Sequence, residues 1–376
     1  MATSLSGRMA WVDLIKGLSV VLVVLMHAAL LLPGLAGDST VAGVWNDIGT
    51  LLEPLRMPVF FFVSGMLASS AVQRSWDSNR QRTWGMGYLY VLWTIILLGL
   101  TTLFLQQTPI EATTSLPGTL LFAASGYWYL YALLLFFVIA VVTRRLPPLL
   151  VVAAAAALNI FRPLTNDVLA SVLDPIHPGS LAAMMTLNLV FFLVGVHYKK
   201  WGTWVAARAN WPTMLLLGSA LVTAGIYRLN TPELWQHTFL PLSIGWIIFA
   251  IMAATIATRW EAPRELGSYL GARTLPIYVM QFPLLFLISW GLQLYATGAL
   301  EPAWVQALFP LAVTGFIVLV ALVLHTWVQR KQLRYLFTAP EWALNPRAAM
   351  TRARGDVELA EDAPAPTTEF DLKPVR

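Results

Sequence analysis

Residues Trp11–Pro33 read WVDLIKGLSVVLVVLMHAALLLP, an apolar run that contains three ionisable side chains, Asp13, Lys16 and His27. Eleven positions separate Lys16 from His27. In an α-helix that is just over three turns, so both project from one face. Asp13 lies three residues before Lys16 and shares that face. If the run crosses a membrane, the three groups make a polar stripe through lipid. Ionisable groups are costly there and point to function. The run is longer than the apolar core of a secretory signal and has an interior histidine, so it is read as a retained span.

The remainder of the chain supports a membrane reading. Of 376 residues, 58% are hydrophobic and only 11% charged, against about 25% charged in soluble domains. Apolar runs recur along nearly the whole length. Sixteen Trp and eleven Tyr suit a protein with two long membrane–water interfaces. The formal charge of +5 follows topology, as shown next, and is not a nucleic-acid signal. Without cysteine there is no disulfide, thiol nucleophile or cysteine metal site.

Ten spans are predicted, at about 10–33, 46–70, 84–106, 119–142, 148–161, 179–198, 211–228, 239–258, 268–291 and 303–328. The fifth is short and must be tilted, thin or buried among neighbours. Lys and Arg collect on alternate loops: Arg8, then Arg74, Arg80 and Arg82, then Arg144 and Arg145, and onward to Arg330, Lys331 and Arg334. The opposite loops hold only Arg162 and Arg228 near span ends. That asymmetry places both termini in the cytoplasm. The expected fold is an all-α polytopic helix bundle in the cell membrane, with a membrane domain over 1–335. Residues 341–376, ending EDAPAPTTEFDLKPVR, lack an apolar period and are expected to be a disordered cytoplasmic tail. No internal repeat is visible, which weakens a transporter reading.

His27 falls in the outer half of the first span, about 9 Å from its outer end. An interhelical hydrogen bond would explain a lone membrane histidine. With Lys16 on its face, it becomes a candidate proton carrier. Lys16, near the cytoplasmic end, is either a snorkelling anchor or a phosphate contact for a cytoplasmic donor. About 16 Å separates the two along the helix, roughly the reach of an extended pantetheine arm.

A second constellation is LLEPLRMPVFFFVSGM, residues 51–66, with Glu53, Arg56 and Ser64–Gly65. Glu53 and Arg56 can pair on one helix face, and fall near the depth of His27. Arg56 is either half of a structural ion pair or a stabiliser of negative charge developing on a transferred acyl group. Ser64 and Gly65 suit close helix packing. Arg80 and Arg82 serve as topology charges or phosphate ligands. Tyr127, Trp128 and Tyr129 are expected near the outer end of span 4, as an aromatic belt or a sugar-stacking surface. Asn188 and Gln281 are intramembrane polar groups, either interhelical glue or site lining. Arg162 and Arg228 could meet an anionic lipid or acceptor. His177, His197, His237 and His325 show no metal-ligand spacing, so no metal is assigned.

Taken in order, these segments resemble the acyltransferase 3 family of integral membrane acyltransferases over roughly residues 8–330. A basic residue, ten residues and a histidine, preceded by aspartate, appear as Asp13, Lys16–Gly17 and His27. Arg56-Met57-Pro58 through Ser64–Gly65 matches the Arg and Pro–aromatic run ending in Ser-Gly. Arg80 and Arg82 match a basic loop, Tyr127–Leu130 an aromatic-Trp element and Gly271–Tyr278 a late Gly-to-Tyr segment. Lys16 replaces the usual Arg and loses bidentate geometry. Gln281 stands where many members have His.

The resemblance implies acyl transfer, usually acetyl, from cytoplasmic acetyl-CoA or another acyl-CoA to a hydroxyl of an envelope carbohydrate or lipid-linked acceptor, for example a trehalose mycolate. Under that reading His27 activates the acceptor, Arg56 supports the oxyanion and Glu53 orients Arg56 or His27. Lys16, Arg80 and Arg82 hold the CoA phosphates. Asp13, Trp128, Tyr129 and Gln281 line the substrate path. One continuous tunnel should pass Lys16 and His27, with Glu53 and Arg56 lining its outer part. The alternative is a lipid or glycolipid transporter using the same stripe without acyl chemistry.

Overall fold

The computed structural model describes residues 9–37, 39–105, 116–121, 125–162, 164, 179–295, 298–330 and 333–344. Arg8, His177, Lys331 and residues 345–376 lie outside them. Among the described residues every regular element is helical.

The first membrane unit is α1 (Ala10–Ala29) with the short α2 (Leu32–Ala36). α3 (Thr40–Leu51) and α4 (Glu53–Val72) then form the second. After α5 (Arg80–Leu105) and α6 (Leu116–Leu121) come α7 (Trp128–Thr143), α8 (Pro148–Ile160) and α9 (Gly179–His197). The second half comprises α10 (Lys199–Ala207), α11 (Trp211–Leu229), α12 (Trp235–Ala257) and α13 (Glu261–Gly271). It ends with α14 (Thr274–Tyr295), α15 (Ala303–Arg330) and the four-residue α16 (Glu341–Leu344). Seven units are long and apolar enough to cross a membrane, and Trp128–Thr143, Pro148–Ile160 and Ala183–His197 are shorter apolar helices. Pro54, Pro148 and Pro212 fall in the first turns of α4, α8 and α11, where a missing N–H costs no helix bond.

Three boundaries differ from the sequence expectation. The second stretch is two helices that meet at Leu52, where Pro54 cannot donate to the preceding turn. The fourth is helical only from Trp128 through the membrane segment, because Gly126 turns the chain with φ +84°. The ninth straddles the break between α13 and α14. The stretch expected to be a disordered tail starts with described residues, and the rest of it, 345–376, lies outside them. Residues 341–344 are helical, with Trp342 edge-on to Tyr88 at 5.6 Å.

Two close helix contacts set the frame. A Cβ on Gly65 would run into the Phe192 carbonyl, and one on Gly195 into that of Phe62. α4 and α9 therefore cross backbone to backbone, the small-residue packing that membranes favour. α13 lies equally close on α1, since a Cβ on Gly271 would meet the Asp13 carbonyl. Bonds between loops follow the charge alternation. Arg144 donates to the carbonyls of Val72 and Arg74, and Arg259 to that of Ala209. Around this frame Phe61, Phe62, Tyr127, Phe136, Phe191 and Phe192 are fully buried.

Candidate active site

α1, α4 and α14 converge on His27. Its Nδ1 donates to the Val23 carbonyl one turn back, at 2.9 Å. A bond to a carbonyl needs a proton on that nitrogen, so the neutral ring keeps Nε2 as its basic atom. Phe282 packs edge-on against the imidazole, with ring centroids 4.9 Å apart. Arg56 lies within charge range of the ring, and the Gln281 side chain lies beside it. Gln281 is fully buried, yet neither its oxygen nor its nitrogen completes a hydrogen bond to the protein. A buried carboxamide in that state is costly unless something else satisfies it.

The Glu53 carboxylate does not pair with Arg56. It takes Arg228 of α11, Nη2 to Oε2 at 3.2 Å. Arg56 instead donates Nη2 to the Gly49 carbonyl, 2.9 Å away in the last turn of α3. The chain break at Leu52 gives the guanidinium this carbonyl as its anchor. Glu53 and Arg56 both line an outer cavity of about 210 Å³, shared with Trp45, Asn46, Thr50 and Trp235.

At the opposite end of α1, Lys16 lies 3.8 Å from Asp13. It lines a second cavity of about 280 Å³, with Ser64, Gln81, Tyr129, Tyr278 and Phe337. The basic pair expected there points elsewhere. Arg80 bonds Asp77 at 2.9 Å, and Arg82 donates to the Leu67 carbonyl at 3.2 Å. Successive residues turn by about 100° on a helix, so with Gln81 facing the cavity its two neighbours face away.

The aromatic element is likewise displaced from an outer surface. Tyr129 is buried, stacked on Phe60 at 4.8 Å and bonded to Ser64 at 3.0 Å. Trp128 packs against Phe61 at 6.0 Å. Tyr129 is thus withdrawn from any surface platform, while Trp128 is half-buried. Tyr127 is fully buried and its hydroxyl donates to the Val279 carbonyl at 2.7 Å. That carbonyl precedes Pro283 by four residues, so proline leaves it without its helix donor. Tyr127 supplies the missing proton.

Among the described residues, these rings also stand where the expected tunnel would run. His27 lines neither cavity. Tyr129 and Tyr278 end the Lys16 cavity, while Phe282 packs on both His27 and Tyr127. The path from Lys16 to His27 is thus crossed by an aromatic layer. Trp45, Trp235, Gln81 and Phe337 line the cavities without having been singled out in the sequence. A tryptophan among sixteen carries no local signal of such a role, and the position of Phe337 depends on the return of the chain after α15.

A family model for an acyltransferase domain, acyltransferase 3, matches residues 9–327. The chain belongs to the acyltransferase 3 family. It is a membrane acyltransferase, which sets the transporter alternative aside. No curated protein and no solved structure matches the chain.

Proposed function

We propose that this acyltransferase 3 member carries an acyl group, acetyl in the first instance, from acyl-CoA to a hydroxyl of an envelope glycan or glycolipid, such as a trehalose mycolate. The observation that carries the proposal is His27. Its Nδ1 is pinned to Val23, and Arg56, within charge range of the ring, also stands in the wall of the outer cavity.

The donor enters on the Lys16 side, where the Lys16 ammonium, in a largely apolar wall that also holds Ser64, Gln81 and Thr274, suits a phosphate. Arg80 and Arg82 lie outside that wall, so donor recognition rests first on Lys16. The acceptor occupies the outer cavity. Nε2 of His27 takes the hydroxyl proton as the oxygen attacks the thioester carbonyl. Arg56 and the Gln281 amide stabilise the resulting oxyanion. Collapse breaks the C–S bond, and the imidazolium returns its proton to the departing thiolate. The aromatic rings between Lys16 and His27 must part to admit the thioester and close behind it, and the closed layer then shields it from water.

The test is purified protein with radiolabelled acetyl-CoA, followed by lipid and glycan mass spectrometry of a deletion strain. Release of CoA thiol, with a matching acetylated envelope product that disappears on deletion, is the expected result. A folded protein that neither binds acetyl-CoA nor releases thiol overturns the proposal.

A further inference from the structure

Two buried guanidiniums stand at the outer cavity, Arg56 in its wall and Arg228 behind the wall residues Glu53 and Trp235. Arg56 and Arg228 are 9% and 5% exposed. Glu53 bonds Arg228, and its own side chain is 40% exposed. Arg162 lies within charge range of both Glu53 and Arg228. Asp47 and Glu233 are exposed and do not line the cavity. Arg228 stacks over Trp235 at 5.0 Å, and Trp235 itself is part of the cavity wall. The Nε of Arg228 is buried without an acceptor. Arg56 is bonded to a neutral carbonyl. Buried guanidiniums are costly unless an anion answers them, and among the described residues the half-exposed Glu53 carboxylate is a weak answer to Arg56 and Arg228 together.

We propose that the acceptor is a phosphate-bearing hydroxyl compound, its phosphate held between Arg56 and Arg228 where the outer cavity meets Glu53. The Glu53 carboxylate then serves as an internal counter-anion that an incoming phosphate displaces from Arg228. Each guanidinium has five donors in a fixed fork. Arg56 gives one to Gly49 and keeps others for the ligand. Trp235, under Arg228, gives the adjoining part of the acceptor an aromatic face. The phosphate so held leaves the acceptor hydroxyl directed at His27. That last placement rests on the transferase reading, whereas the anion site does not.

The experiment measures binding in detergent without any acyl donor, by calorimetry and thermal unfolding. The soluble probes are glycerol 3-phosphate and, as the neutral control, glycerol. The lipid probes are nanodiscs of dioleoyl phosphatidylglycerol and of dioleoyl phosphatidylcholine. Wild type should bind a hydroxyl-bearing phosphate probe and ignore glycerol. Glu53→Gln should bind it about tenfold tighter and Arg228→Gln about tenfold more weakly, as expected for one close charge partner at intermediate dielectric. The gain in Glu53→Gln cannot arise from misfolding, so it decides the matter should Arg228→Gln fold badly. A response to phosphatidylglycerol alone assigns the phosphate to a lipid headgroup, and one to glycerol 3-phosphate alone to a soluble acceptor. Indifference to both, unchanged affinity in Glu53→Gln, or displacement of the phosphate probe by acetyl-CoA would overturn the proposal. These outcomes leave acyl transfer from CoA standing. Loss of that activity with phosphate binding intact would sink the transferase reading alone.

Discussion

At the scale of single residues, the proposed chemistry rests on one nitrogen of His27, and its surroundings define what each substitution should do. His27→Ala should insert and fold normally but lose about 10²–10⁴-fold in acyl transfer, the usual contribution of a general base. His27→Gln keeps hydrogen bonding without accepting the proton, and should be equally inactive. Near-normal turnover by either folded variant would move the base elsewhere. Gln281 makes a sharper case, because function and stability should part company. Gln281→Leu removes a buried amide with no partner, so the fold should gain about 1–3 kcal/mol. Transfer should fall, since the oxyanion loses a donor. Thermal unfolding and thiol release on the same preparation check both signs. The Lys16–His27 face was legible in the sequence because helix geometry alone relates them. The Glu53 partner was not. Arg56 lies three residues away, yet the bond goes to Arg228, 175 positions along the chain. Local spacing states which pairs are available, while tertiary packing selects among them.

The start of α7 shows the same selection among elements. Composition marks the apolar stretch, but only the turn at Gly126 and its contacts reveal that the helix starts within the bundle. A Cβ at Gly126 would press on the Phe282 ring at 2.9 Å, in a backbone region that disfavours side chains. Tyr127 then satisfies the carbonyl that Pro283 orphans in α14. Tyr127→Phe should cost about 1–3 kcal/mol, the usual penalty for a buried unpaired acceptor. Pro283→Ala restores the backbone donor, so in that background the tyrosine change should cost little. Equal costs in both backgrounds would show that the hydroxyl and the proline are independent. Two motifs far apart in sequence thus act as one joint beside His27, a dependence visible only once the helices are packed.

For the whole molecule, the division into a Lys16 end and an Arg56 end predicts separable defects. Lys16→Ala should weaken acetyl-CoA binding more than it slows turnover at saturating donor. Lys16→Arg should be tolerated, since guanidinium matches phosphate well. Arg80→Ala and Arg82→Ala should change donor affinity less than Lys16→Ala, because their bonds lie outside the cavity wall. Donor titrations on the purified variants test the order, and a larger loss in the arginine variants would reverse the assignment.

The wall of that cavity includes Phe337, which packs on Trp93 at 5.8 Å while the Leu336 carbonyl accepts from the Trp93 indole at 2.8 Å. α1, early in this sequence, thus carries the proposed base, whereas one of the last described stretches closes the proposed donor pocket. A chain still entering the bilayer has its histidine in place but no finished chamber for a thioester. On the proposed assignment, a chain cut ahead of Leu336 should lose acyl transfer, because the cavity beside Lys16 then lacks its Phe337 wall; thiol release by the truncated protein checks this.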